Sequence, residues 1–214
     1  MKTQTMKKSL VMFLLLFSIF LLPHLSVEAA SSKSAALKAY KKFLAQETIP
    51  WGDDSYYTAV PTKNCSFAIA YIDNNSVPEL IIRNSTDITH LAGWGVIYTW
   101  RNGEMTLVGN IDYDGSFYYY KKKGIYVTSY TMGGTAYKYF KLSKGTATYK
   151  LSMINRIVVT PSSNSTVTSY YNGSGKEISS SAFNSKLAKL TGSTNRTELT
   201  LYKNTARNRK KYLS

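Results

Sequence analysis

Hydrophobic residues fall first in one block interrupted by a single serine, then at helical spacing, and then in short runs punctuated by Asn-Gly and Lys-Gly pairs. The block covers residues 10–22 and ends at Pro23. Over 31–47 the pattern changes: Ala36, Leu37, Tyr40, Phe43 and Leu44 recur at three- and four-residue intervals, which predicts a helix with one apolar stripe. Pro50 and Gly52 stop it, and 49–64 reads as an irregular connection. From Cys65 onward the period shortens to that of strands. Runs at 65–72 and 79–83 flank an Asn-rich turn. Three hairpins follow, 95–100 with 104–111, 117–121 with 125–131, and 136–142 with 146–153. Their turn glycines Gly103, Gly124 and Gly145 are evenly spaced. Residues 160–168, rich in Ser, Thr and Asn, read as a surface loop. A last hairpin at 167–171 and 176–178 precedes a helix at 179–190, where Phe183, Leu187 and Leu190 share a face. A short basic helix closes the chain at 204–213, started by Asn204 or Thr205.

These elements predict an α+β protein. An antiparallel β-meander of about eight to ten strands carries an N-terminal helix and one or two C-terminal helices. One sheet face is expected to hold both the first helix and the 179–190 helix. Nothing in the pattern demands a second domain, so 30–214 is taken as one.

The opening block changes the picture of compartment. Lys2, Lys7 and Lys8 precede it, and Val27 and Ala29 follow as a small-residue cleavage site, the layout of a secretory signal peptide over 1–29. A spanning helix needs about 20 apolar residues, more than this block has. The expected product is secreted, without a transmembrane anchor after cleavage. The chain carries +15 net charge, and removing the leader takes three lysines and Glu28, which leaves +13. A basic exported protein suits acidic wall polymers or anionic lipid, and the same charge equally serves solubility alone. Export makes nucleic acid an unsuitable physiological partner. Cys65 is the single cysteine, so no intrachain disulfide can form. Eighteen tyrosines favour sheet, where aromatics pack on a half-buried pleated surface.

Candidate chemistry is sparse. His24 leaves with the leader, so His90 is the one histidine of the mature chain and zinc sites built on several histidines are excluded. A nucleophile and base would have to be Cys65 and His90, the pair a cell-wall-modifying cysteine hydrolase would use. Carboxylates are scattered and single out no glycosidase pair, and no Gly-rich phosphate loop occurs. The loop Tyr71-Ile72-Asp73-Asn74-Asn75-Ser76-Val77-Pro78-Glu79-Leu80 admits two readings. Asp73, Asn75 and Glu79 are oxygen donors at spacings calcium accepts. Asp73 and Asn75 equally suit a polar turn in which each bonds its own backbone, the reading we prefer. Lys121, Lys122 and Lys123 follow Tyr118, Tyr119 and Tyr120. With Trp94 and Trp100, these are the candidate ligand contacts, aromatic platforms flanked by cations.

Residues 67–82, the Tyr98-x-Trp100-x-Asn102-Gly103 turn, and Asn204-Thr205-Ala206-Arg207-Asn208-Arg209 together resemble a group of uncharacterised secreted proteins from clostridial-type Gram-positive gut bacteria. Their first segment reads Asp-x-Asp-Gly-Ile-Pro-Glu-Leu. Here Asn75 stands for the second Asp, Ser76 for the Gly and Val77 for the Ile. The resemblance implies a bacterial exported protein and carries over no activity and no functional residue. The expected function is a non-catalytic secreted or cell-surface-associated protein that binds glycan or anionic cell-wall polymer without a cofactor. The alternatives are the cysteine hydrolase and a calcium-stabilised structural or adhesion module.

Overall fold

The computed structural model describes residues 32–50, 59–84, 95–111, 116–131, 134–160 and 163–214. The expected leader, His90 and Trp94 lie outside them. A first helix, α1, covers 32–43. Two short strands, β1 (Thr48–Pro50) and β2 (Ala59–Pro61), pair with each other, and one 3-10 turn leads into β3 (Cys65–Ala70). Thus part of the expected irregular connection is a small ladder. β4 (Glu79–Asn84), β5 (Gly95–Arg101) and β6 (Glu104–Ile111) continue antiparallel from β3.

The next strands form a second sheet. They are β7 (Phe117–Tyr120), β8 (Ile125–Thr131), β9 (Gly134–Ser143), β10 (Thr146–Thr160), β11 (Ser163–Asn172) and β12 (Glu177–Ile178). Residues 160–168, expected as a loop, belong mostly to β10 and β11. Their ladder runs unbroken from Leu151↔Asn172 to Thr160↔Ser163, and β-branched Thr suits a pleated pair. Helix α2 (Ser180–Thr191) starts where Ser179 accepts from the Ala182 amide, and it ends at Gly192 with φ +60°. β13 (Arg196–Glu198) then pairs with β7, β14 (Tyr202–Lys203) pairs with β3, and α3 (Ala206–Tyr212) follows its Thr205 cap. Nine described strands have four or more residues, and every described pairing is antiparallel.

The architecture is α+β with the meander split in two. The five-stranded sheet runs β14-β3-β4-β5-β6 and the seven-stranded sheet β12-β11-β10-β9-β8-β7-β13. Ala36, Leu37 and Tyr40 of α1, with Leu44 just after it, pack on Phe67, Leu80, Ile82 and Val96, one face of the five-stranded sheet. Its other face, through Ile81, Ile97 and Ile111, meets Phe117, Tyr126 and Leu142 of the seven-stranded sheet. The far face of that second sheet, through Ile125, Val127, Tyr139 and Leu151, takes Phe183 of α2. So the two helices do not share one face, as the pattern had suggested. They cap opposite outer faces because each sheet must bury both sides. That requirement also explains why β4 and β5 are continuous apolar runs. An aromatic ladder runs across four neighbouring strands of the seven-stranded sheet. Phe117, Tyr126, Phe140 and Tyr149 follow one another at ring separations of 5.6, 5.0 and 5.9 Å. No described helix is long and apolar enough to cross a membrane.

Candidate functional site

Consecutive turns of a meander alternate between its two ends, so every second turn shares an end. Here the β3–β4 loop (71–78), the β5–β6 turn, the β7–β8 turn (121–124) and the β9–β10 turn come together. The guanidinium of Arg101 donates to the Lys144 carbonyl, tying the β5–β6 turn to the β9–β10 turn.

The 71–78 loop is held by its own side chains. Asp73 Oδ1 accepts from the Asn75 amide at 3.0 Å, and its Oδ2 accepts from Asn75 Nδ2 at 2.8 Å. Asn75 Oδ1 accepts from the Val77 amide at 2.6 Å. Glu79 is fully buried, and its Oε2 accepts from the Ile72 amide at 2.9 Å. Its Oε1 is buried with no hydrogen-bond partner. Burial and then the charge of Asp73 push the Glu79 carboxyl up to about 8, against the pull of nearby backbone N–H groups. Beside it the Tyr40 hydroxyl donates to the Pro78 carbonyl at 2.7 Å and accepts from the Trp100 amide at 3.0 Å. Burial, then the Glu79 charge, raises that phenol well above its ordinary range. The oxygens proposed for calcium thus face the chain. To bind an ion, Asp73 and Asn75 would have to turn away from the backbone they now close, so the arrangement matches the polar turn. Among the described residues no three His, Cys, Asp or Glu side chains gather as a metal set.

Against this loop sits the β7–β8 turn. The Lys122 amide donates to the Tyr71 carbonyl at 2.9 Å and the Gly124 amide to the Ile72 carbonyl at 2.7 Å. Gly124 needs its φ of +69°, and a Cβ there would lie 2.7 Å from the Leu142 carbonyl oxygen. Between loop, turn and the end of β9 lies an open groove of about 530 Å³. Lys122, Lys123, Lys141 and Lys144 line it, together with Asn74, Asn75 and Ser143, and Asp73 is the one carboxylate among its lining residues. Lys122, Lys123 and Lys144 are exposed. Lys141 reaches across to donate to the Lys123 carbonyl. Leu190, near the carbonyl end of α2, closes one side. The groove therefore offers convergent ammonium groups in a partly walled space, the setting in which an anion gains most from each cation.

A second recess, of about 590 Å³, lies under the end of α1, and the Asn204 amide in its lining is already committed to the chain. Asn204 Nδ2 donates to the Leu44 and Thr62 carbonyls, both at 2.9 Å, and its Oδ1 accepts from Arg209 at 2.7 Å.

No family model matches the chain, and no curated protein or solved structure matches it.

The remaining sequence candidates separate. Cys65 is 2% exposed, burial pushes its thiol up to about 11, and its Sγ donates to the Pro61 carbonyl. The thiol is enclosed in the core, and burial disfavours the thiolate that a nucleophile needs; His90 lies outside the described residues. Among the described residues, Tyr118, Tyr119 and Tyr120 do not share one open face. Tyr120 is buried against the α2 cluster and Tyr118 packs there too, while Tyr119 points between the sheets. The open ring face of Tyr118 is covered by the Arg196 guanidinium at 4.1 Å. Alternation along a strand forces this outcome, because neighbouring tyrosines of β7 must enter two different cores. Trp100 is half-buried against the α1 core, and Trp94 lies outside the described residues. Among the described residues of the expected cluster, Lys122 and Lys123 line the groove, and Lys121 is an exposed neighbour outside its lining. Lys141 and Lys144 were not singled out by the sequence. Their signal was the 42-residue distance between Gly103 and Gly145, two hairpins apart, and the rule that alternate turns share an end.

Proposed function

We propose that this is an exported, cell-surface-associated protein that holds an anionic wall polymer in the lysine-lined groove, without a cofactor. The supporting observation is the groove's composition: four lysines from two turns and a strand end, opposed by a single half-buried aspartate. A polymer with a negative charge on every repeat, phosphodiester or uronate, would place several charges along such a groove at once. A neutral glycan would gain nothing from it. The leader and the net positive charge of the chain support the same compartment and the same sign of partner. The resemblance to exported clostridial-type proteins is part of the proposal and adds no ligand.

The test is retention on purified Gram-positive wall, with and without its teichoic acid, at low and high salt. Screening lengths fall from about 10 Å at 0.1 M to about 3 Å at 1 M, so retention should collapse between those salts. It should also vanish on wall stripped of the polymer. Equal retention on stripped wall, or retention indifferent to salt, would overturn the reading.

A further inference from the structure

We propose that Glu79 is the positioning residue of the groove, fixing the lysine turn through a relay of backbone hydrogen bonds. The proposal rests on the groove being the binding site, but its geometry stands independently. Glu79 opens β4, at a fully buried position where an aliphatic side chain would normally sit. A buried carboxyl is costly unless it holds something in place. What it holds is Ile72: Glu79 Oε2 takes the Ile72 amide at 2.9 Å. The Ile72 carbonyl in turn takes the Gly124 amide at 2.7 Å, and the Gly124 carbonyl takes the Leu142 amide at 2.7 Å. Beside this line, Tyr71 takes the Lys122 amide at 2.9 Å, and Lys141 donates to the Lys123 carbonyl.

The relay therefore runs from the loop of one sheet, through the turn carrying Lys122 and Lys123, to the strand end carrying Lys141. It joins three walls of the groove and crosses between the two sheets. Its fixed end is the Glu79 carboxyl group. Its middle is Gly124, whose φ of +69° and closeness to Leu142 admit no side chain without displacement. The unpartnered Oε1 fits the same reading, since one oxygen of the carboxyl carries the relay and the other gains nothing from its burial.

The experiment compares Glu79→Gln, which keeps an acceptor for Ile72, with Glu79→Leu, which keeps the bulk and removes it. Two readouts are taken: amide hydrogen exchange at Ile72, Lys122 and Gly124, and the Kd for soluble poly(glycerol phosphate). Phe183→Leu, which weakens the distant α2 contact, controls for general loss of stability. Glu79→Gln should preserve both readouts within about twofold. Glu79→Leu should speed exchange at the three amides and weaken polymer binding, each about tenfold, the worth of one lost hydrogen bond. Phe183→Leu should change neither selectively. Should Glu79→Leu fail to fold, Gly124→Ala breaks the relay from its middle and should give the same paired losses. Unchanged exchange at Lys122 and Gly124 in Glu79→Leu would overturn the proposal. Faster exchange in a protein whose wild type ignores the polymer would support the relay and overturn the functional reading instead.

Discussion

The carboxyl of Glu79 ionises near 4.5 in a free chain and near 8 in the folded protein, because burial and Asp73 both disfavour its charge. Between those values the unfolded chain has lost a proton that the folded protein keeps. The fold's advantage from the neutral carboxyl is therefore complete below 4.5 and is lost as pH rises through about 8. Inside that window stability should fall by at most about 1.4 kcal/mol per pH unit. Urea midpoints at pH 5, 6.5 and 8 should decline steadily in the wild type. They should decline less in Glu79→Gln, which leaves every other titrating group in place, His90 included. Parallel curves would mean that Glu79 titrates normally. Cys65 offers a second check at the same scale. Its thiol is enclosed and held protonated, so a chromogenic disulfide reagent should label it only at the rate of unfolding. Rapid labelling of the native protein would return it to the list of reactive groups.

At the scale of elements, the hairpins were legible and the joins were not. Asn102 and Lys144 adopt φ of 53° and 51°, each followed by a glycine with positive φ. This is the left-handed geometry that Asn-Gly and Lys-Gly pairs signal in sequence. Ser179 and Thr205 likewise cap the helices that begin beside them. By contrast, β13 and β14 have three and two residues, too few to carry a pattern. They exist because each finds the free edge of a different sheet. The split of the meander was hidden for a related reason. Alternation tells that a strand has two faces, not what covers each. The candidate site was half legible: Lys121–Lys123 and the 71–79 loop stood out singly, but their meeting depends on two sheets stacking. Asn204 shows what holds that late segment in place. Its amide bridges Leu44, Thr62 and Arg209, and stacked Tyr202 and Tyr212, 3.7 Å apart, lie alongside. Asn204→Ala removes one donor from each of two buried carbonyls, which keep the Arg209 guanidinium and the Cys65 amide as partners, and should cost about 1–2 kcal/mol. Chemical denaturation would measure it, and limited proteolysis should then clip 200–214 first. An unchanged midpoint would show that packing and the β14–β3 backbone bonds hold the tail without the Asn204 side chain.

For the molecule as a whole, the question is whether its field or its groove does the binding. A chain of net charge +15 attracts any polyanion, so salt-sensitive retention by itself fits a diffuse field as well as a site. Two triple variants separate the cases because they remove equal charge. In one, Lys122, Lys141 and Lys144 become Gln and the groove loses three of its four cations. In the other, Lys38, Lys41 and Lys42 become Gln on the exposed side of α1, which packs on the sheet face away from the second sheet. A diffuse field falls equally in both, and retention should then drop together. A site loses direct pairs only in the first. At about 0.5–1 kcal/mol for each partly exposed pair, the groove variant should bind some 10–100-fold more weakly than the wild type. The α1 variant should stay within about threefold, and the gap between them should be clearest at about 0.1 M salt, before screening abolishes retention. Equal loss in the two variants would assign binding to net charge and leave the groove without a role.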